Sequence, residues 1–426
     1  MAYNRKQRLN DNIKAIETAF ILDREQRTPT ARERLLLERY CGFGGLKCIL
    51  NPARELADAV HWAKSDLELF APTVELHRLI RENSKNESEY KQLMDSLKQS
   101  VLTAFYTPSA VTEALTDVLK EHQIIPEKVL EPSAGIGAFV DSVLDNNPKA
   151  DIMAFEKDLL TGKILRHLHP EQKVRIEGFE KIEKPFNDYF DLAISNIPFG
   201  DVAVFDPSYT AMKGMRALVT RRIHNYFFVK ALDTVRDGGL VAFITSQGVL
   251  NAKNNSAARF MMLYHADLVS AIRLPNNLFT ENANTEVGSD LIILQKNTQK
   301  ESLRGDDNLL DTVYNDENRI PTNNYFLEHP ERIIHTTAKL DTDPFGKPAM
   351  IYTHEDGVEG IAEDLRKMLH EDFKKNLNLN RYLGIEETKA EEVKEVEETE
   401  KIEKTEKMKP SIEVKQNDTV VSLQKQ

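Results

Sequence analysis

Val129-Leu130-Glu131-Pro132-Ser133-Ala134-Gly135-Ile136-Gly137-Ala138-Phe139 decides the fold. A short apolar run ends on an acid, glycines turn the chain, and a helical pattern follows. Such glycines let the backbone approach a ligand closely, and the helix start offers free N–H groups. Taken alone, the loop fits a nucleoside-bearing cofactor, a dinucleotide, or a plain strand-to-helix turn, because its spacing is not a strict G-x-G-x-x-G. Outward from it, short apolar runs alternate with amphipathic segments. The expected strands are KVLEP (128–132), DIMAFE (151–156), KVRIEG (173–178), FDLAISN (190–196), GLVAFITS (239–246), LVSAIRLP (268–275) and SDLIILQK (289–296). AVTEALTDVLKEH (110–122) and NYFFVKALDTVRD (225–237) read as helices between them. This alternation predicts an α/β fold with a mostly parallel, doubly wound sheet. The last two runs have no long helical segment between them, which predicts an antiparallel strand at the sheet's edge.

Glu156 closes the second expected strand, nineteen residues past Gly137. An acid there can accept hydrogen bonds from both ribose hydroxyls of a cofactor, without choosing between NAD and S-adenosylmethionine. The choosing stretch is Asp191-Leu192-Ala193-Ile194-Ser195-Asn196-Ile197-Pro198-Phe199-Gly200. A strand runs into Asn-x-Pro-aromatic. A conjugated amino nitrogen is a poor nucleophile because its lone pair is delocalised into the ring. The Asn196 side-chain oxygen and a carbonyl of the Ile197-Pro198 turn can accept its two N–H bonds and free that lone pair. Pro198 stiffens the turn, and Phe199 can stack on a flipped base. Upstream, Thr107 and Pro108 read as the cap and first residue of a helix.

Residues 1–100 read as a helical N-terminal domain, with Thr30 and Glu33 forming a capping box and Gly42-Phe43-Gly44-Gly45 a turn. Residues 101–300 hold the α/β domain and 301–385 a mixed extension. From 386 to 426 the chain is charged, expected to be disordered or a solvated single helix. Ten Glu and six Lys between Glu386 and Lys409 account for part of the net charge of −12. That net charge therefore does not exclude a DNA enzyme, which needs only a local basic surface. Cys41 and Cys48 make neither a disulfide framework nor a metal-ligand pattern, and no run is long and apolar enough to cross a membrane. No metal, no membrane association and a cytoplasmic location are expected.

Together these residues resemble the amino-methyltransferases of DNA, in the N6-adenine branch that carries its cofactor motifs before the catalytic one. The resemblance covers about residues 101–300 and extends to the phage and mobile-element type, whose Tyr40–Leu46-like segment recurs here. It implies a Rossmann-like methyltransferase sheet, S-adenosylmethionine as cofactor and DNA as substrate. Phe105, Tyr106, Thr107 and Pro108 correspond to the segment that contacts the methionine part of the cofactor. Glu131, Pro132, Ser133, Ala134, Gly135 and Gly137 correspond to its glycine-rich loop, and Glu156 to its ribose-binding acid. Phe179 is a candidate to stack on the cofactor adenine, with Glu180 beside it. Asn196, Pro198 and Phe199 correspond to the catalytic motif, with Ile197 replacing the family's first proline. Lys213, Arg216, Arg221 and Arg222 form a basic stretch that can hold DNA phosphates. No helicase motif is present, and a separate helicase or specificity partner is a candidate. The same chemistry also serves glutamine-amide or RNA methylation and cytosine N4, and a non-catalytic DNA-binding or antirestriction scaffold is the reading from a different class.

Overall fold

The computed structural model describes residues 4–103, 106–212, 214–280, 286–303, 307–314, 320–343 and 346–385. Phe105, Lys213 and the charged tail from 386 lie outside the described residues. The described residues up to Tyr382 form one compact unit, and those from Leu383 belong to a second.

The centre of the fold is a seven-stranded sheet of order β3-β2-β1-β4-β5-β7-β6. Its strands are β1 (Lys128–Glu131), β2 (Asp151–Phe155), β3 (Lys173–Arg175), β4 (Phe190–Asn196), β5 (Val235–Ser246), β6 (Ala266–Leu274) and β7 (Ser289–Lys296). All seven runs expected from the sequence are strands. β1 to β5 pair in parallel. β7 is antiparallel to both β5 and β6, so the antiparallel strand stands one place in from the outermost strand, β6. Chain order reverses between β1 and β4, and a ligand crevice is expected at the carboxyl ends of those two strands. Glu131 and Asn196 are their last residues.

Helices cover both faces. On one, α5 (Ser109–Glu121) and α6 (Ala138–Asn146) pack with Ile152, Leu192 and Ile293. A later helix from the mixed extension, Gly357–Asn376, joins this layer through Ile361, Leu365, Leu369 and Phe373. Their spacing of four places them on one helix face. On the other face, the helix Ile223–Thr234 buries Tyr226, Phe228 and Leu232 against Phe243 and Ile292.

The N-terminal layer begins with α1 (Arg5–Glu25), α2 (Ala31–Leu37), α3 (Phe70–Glu82) and α4 (Glu87–Thr103). The Thr30–Glu33 capping box at α2 is present as expected. These helices share a hydrophobic cluster with Leu160, Ile164 and Leu168 of α7 (Leu159–Leu168). The glycine turn after Tyr40 is braced by buried Asn12, which donates to the Gly42 carbonyl at 2.6 Å and accepts from the Cys41 N–H at 2.9 Å. Tyr40 also meets Thr161 of α7, 3.2 Å between hydroxyls. No helix among the described residues is long and apolar enough to cross a membrane.

Candidate active site

The glycine loop joins β1 to α6. Its Ala134 N–H donates to the Phe155 carbonyl at the end of β2 (2.9 Å). The next N–H, of Gly135, donates to the Glu156 carboxylate at 2.8 Å, and the Asp158 N–H donates to its other oxygen at 2.7 Å. Glu156 thus ties the loop to the end of β2. Burial and the nearby Asp158 carboxylate push its pKa up to about 8. Gly135 (φ +57°) has the Tyr106 ring against it, 2.8 Å from where a Cβ would stand. At Gly137 (φ +94°) a Cβ would stand 2.4 Å from Nε2 of His169. Both positions require glycine, by backbone conformation and by space.

Glu131 is 2 % exposed, and its Oε2 has no hydrogen-bond partner among the described residues. Burial, with Asp141 and Glu156 adding like charge, raises its pKa well above the usual carboxylate range. The Thr107 hydroxyl is likewise buried and unpartnered. This corrects the capping expectation. α5 starts at Ser109 with Pro108 as its N-cap residue and without a side-chain cap, so Thr107 is left for another role. A cleft of about 340 Å³ runs beside Tyr106, Thr107 and Pro108, between Glu38–Cys41 and α6, but does not include Glu131, Glu156 or Asn196.

Phe179 is placed differently from the other cofactor candidates. It is 1 % exposed and packs among Phe155, Tyr226 and Phe227, with ring centroids 5.8, 6.4 and 5.3 Å away. Its ring is part of the core, while Glu180 remains partly accessible beside it.

Asn196 ends β4 opposite Ile244 of β5. The Ile197 N–H donates to the Ile244 carbonyl at 3.0 Å, extending the ladder by one bond that a proline could not make. The Ile197 side chain is buried in the cluster beneath the helix Ile223–Thr234. Phe199 stands edge-on to buried Phe279, centroids 6.4 Å apart and planes at 73°. The preceding Ser195 hydroxyl donates to the Ser133 carbonyl at 3.0 Å, linking the Asn196 strand directly to the glycine loop. Ser195 and Phe279 were not picked out from the sequence. A fully buried polar residue inside an apolar strand was the available signal for Ser195; Phe279 carries none.

The basic stretch is largely turned inward. Arg216 makes two bonds to Asp233, at 2.6 and 2.9 Å. Arg222 pairs with Asp201 at 2.9 Å and with the side chains of Asn254 and Asn255. Arg221 is exposed. The outward side chains of this excursion include Val202 and Phe205, the latter 77 % exposed.

The family model "N-6 DNA Methylase" matches residues 88–391. The chain belongs to this family. A 201-residue stretch is 29% identical to "Defense against restriction protein B" of Escherichia phage P1, covering 46% of this chain and 8% of that protein. A 173-residue stretch is 25% identical to the type II methyltransferase M.XamI of Xanthomonas campestris pv. amaranthicola, covering 38% of this chain and 33% of that protein. The chain therefore spans a third or less of each of these relatives. Among solved structures, the type I restriction-modification system methyltransferase subunit from Streptococcus thermophilus is 12% identical, covers 88% of this chain and 94% of that one, and has a TM-score of 0.39.

Proposed function

We propose that this protein transfers the methyl group of S-adenosylmethionine to the N6 amino group of adenine in DNA. The observation that carries the reading is the pairing of two halves at the carboxyl ends of two adjacent central strands. A loop with a buried, uncompensated carboxyl at β1 stands beside an Asn-x-Pro-Phe turn at β4, and the two are joined through Ser195.

The residues present fit the cofactor. A carboxyl without a counter-ion, Glu131, suits the methionine ammonium, because an opposite charge offsets its burial. The Thr107 hydroxyl is an unfilled donor or acceptor for the same amino-acid end. Glu156 would exchange one of its backbone bonds for the ribose hydroxyls. Bound there, the cofactor supplies an electrophilic methyl on a sulfonium. Asn196 and the carbonyl of the following turn accept the two amino N–H bonds of the target base and direct its lone pair outward. Pro198 holds the turn, and Phe199, backed by Phe279, offers a ring face to the flipped base.

Adenine is favoured by the family, whose name is N6 methylation of DNA. With Arg216 and Arg222 engaged on carboxylates, target choice falls to other surfaces or to a separate specificity or helicase partner. The name of the phage relative agrees with methylation used as self-protection by a mobile element. The test is transfer of labelled methyl from S-adenosylmethionine to unmethylated plasmid DNA, followed by nucleoside analysis. N6-methyladenine is expected. Label appearing only in RNA or protein would move the reading to the glutamine-amide or RNA enzymes. Failure to bind the cofactor would leave the scaffold reading.

A further inference from the structure

Tyr40 to Leu46, the segment that resembles the phage and mobile-element type, takes no part in the site described above. Its first residue nonetheless reaches that site through α7. Tyr40 is 1 % exposed and stands edge-on to Phe43, ring centroids 6.1 Å apart. The turn that carries both rings is held from two helices. Asn12 of α1 bonds to Cys41 and Gly42, and the Phe43 N–H donates to Ser100 Oγ of α4 at 3.2 Å. The Tyr40 ring is therefore fixed, and its hydroxyl stands 3.2 Å from that of Thr161.

Thr161 lies in the first turn of α7. Asp158, the N-cap of that helix, accepts from the Thr161 N–H at 2.7 Å and donates its own N–H to Glu156. Thr161 Oγ1 also meets a second phenol, Tyr106, at 3.4 Å. One hydroxyl oxygen can accept from both phenols. The Tyr106 ring is the one that lies against Gly135, whose N–H donates to the other Glu156 oxygen. Ile136, between the two glycines, packs with Tyr106 on the N-terminal hydrophobic cluster. The Leu160 N–H donates to Ser96 Oγ of α4 at 3.0 Å. Glycine loop, Glu156 and N-terminal layer thus meet at the first turn of α7. A separate tie lies further along the helix, where Asp23 of α1 accepts from Arg166 and His167 at 3.0 and 2.9 Å and pairs with Lys163.

We propose that Tyr40 and Thr161 are positioning residues for the cofactor, their hydroxyls fixing the Tyr106 ring against Gly135 and so making the N-terminal layer part of the cofactor site. The proposal rests on the S-adenosylmethionine reading of the glycine loop. Its physical basis is pre-organisation. Gly135 has no side chain to hold its own place, and its backbone is free to relax. The Tyr106 ring closes one side of it while Glu156 holds its N–H. A loop that must be ordered on binding loses affinity to that ordering, and a loop already held does not. Both hydroxyls act through the ring and not on the reacting atoms. Their loss belongs in cofactor affinity, with the transfer step and DNA binding unchanged.

The test measures S-adenosylmethionine affinity by calorimetry on the full chain, beside kcat and the KM for plasmid DNA at saturating cofactor. Tyr40→Phe keeps the ring and its packing and removes one hydroxyl. It is expected to weaken cofactor binding about fivefold, the worth of one ordinary hydrogen bond. Thr161→Val leaves both phenols without this partner and should weaken binding about tenfold or more, while Thr161→Ser restores it to within about twofold. In the Thr161→Val background, Tyr40→Phe should cost nothing further, because the bond is already absent. The kcat and the KM for DNA should stay within about twofold in all of them. Asp23→Asn weakens the separate tie along α7 and should lower the melting temperature while leaving cofactor affinity unchanged. Wild-type affinity in Tyr40→Phe and Thr161→Val overturns the positioning role and leaves the functional reading standing. A loss in Asp23→Asn equal to theirs, no recovery in Thr161→Ser, or losses that multiply in the double variant does the same. The positioning role is judged by calorimetry, so failure of the wild type to methylate DNA counts against the functional reading alone. A wild-type protein that binds no S-adenosylmethionine overturns both.

Discussion

Glu156 is a carboxyl held by two backbone N–H groups and still pushed up to about pH 8, because burial and Asp158 outweigh those bonds. The folded protein therefore keeps a proton there that the unfolded chain releases near the ordinary Glu value of about 4.3. Folded protein binds more protons than unfolded between about 4.3 and 8, so this group's contribution to stability falls as pH rises through that window. His169 and His224 act with the opposite sign. Burial lowers both to about 4, so their contribution rises with pH between about 4 and the ordinary His value of about 6.5. The Glu156 effect is isolated by comparison with Glu156→Gln. The stability of wild type relative to that variant should fall from pH 5 to pH 8, and a pH-independent difference in melting temperature would show that the carboxyl titrates normally. At Gly137, alanine would meet His169 and take up a positive φ. Gly137→Ala should destabilise by about 1–3 kcal/mol, measured by urea unfolding. Adding His169→Ala should restore the part due to contact and leave the part due to φ.

At the scale of elements, Ser195 joins the strand that carries Asn196 to the loop that carries Glu131. Ser195→Ala removes a single 3.0 Å bond and should cost about 1 kcal/mol in stability. Its signature is kinetic: the KM for S-adenosylmethionine should rise several-fold while the KM for DNA stays unchanged. Equal effects on both would mean general loosening. Ile197→Pro writes the family's own residue into the turn but deletes the donor to Ile244. It should lower the melting temperature while methyl transfer is retained. The strands were legible in the sequence because a buried strand must be a short apolar run bounded by turn residues, and β1, β4 and β7 are such runs. The four-residue spacing of Ile361, Leu365, Leu369 and Phe373 was also legible, though the extension around it was read only as mixed. The role of Thr107 was misread because a cap looks the same in sequence whether or not the hydroxyl reaches the helix. Phe279 had no local signal. It joins the site only because the short helix between β6 and β7 brings it against Phe199 from far along the chain.

For the molecule as a whole, the N-terminal helices share the buried cluster of α7 rather than a core closed off from it. The single tryptophan, Trp62, lies in that layer, buried and edge-on to Phe70 at 5.4 Å. Its fluorescence reports the N-terminal layer, and far-UV circular dichroism reports the whole. Coincident urea transitions are expected, as for one cooperative unit. An earlier fluorescence transition would define residues 1–100 as an independently melting domain. The two halves of the site meet at the carboxyl ends of the central strands β1 and β4, and that is the central claim. The most direct test separates binding from transfer in Asn196→Ala: S-adenosylmethionine affinity by calorimetry beside N6-methyladenine formation in DNA. The account predicts wild-type affinity with transfer reduced by about a thousandfold or more, because the residue acts on the base and not on the cofactor. Transfer at the wild-type rate would contradict it.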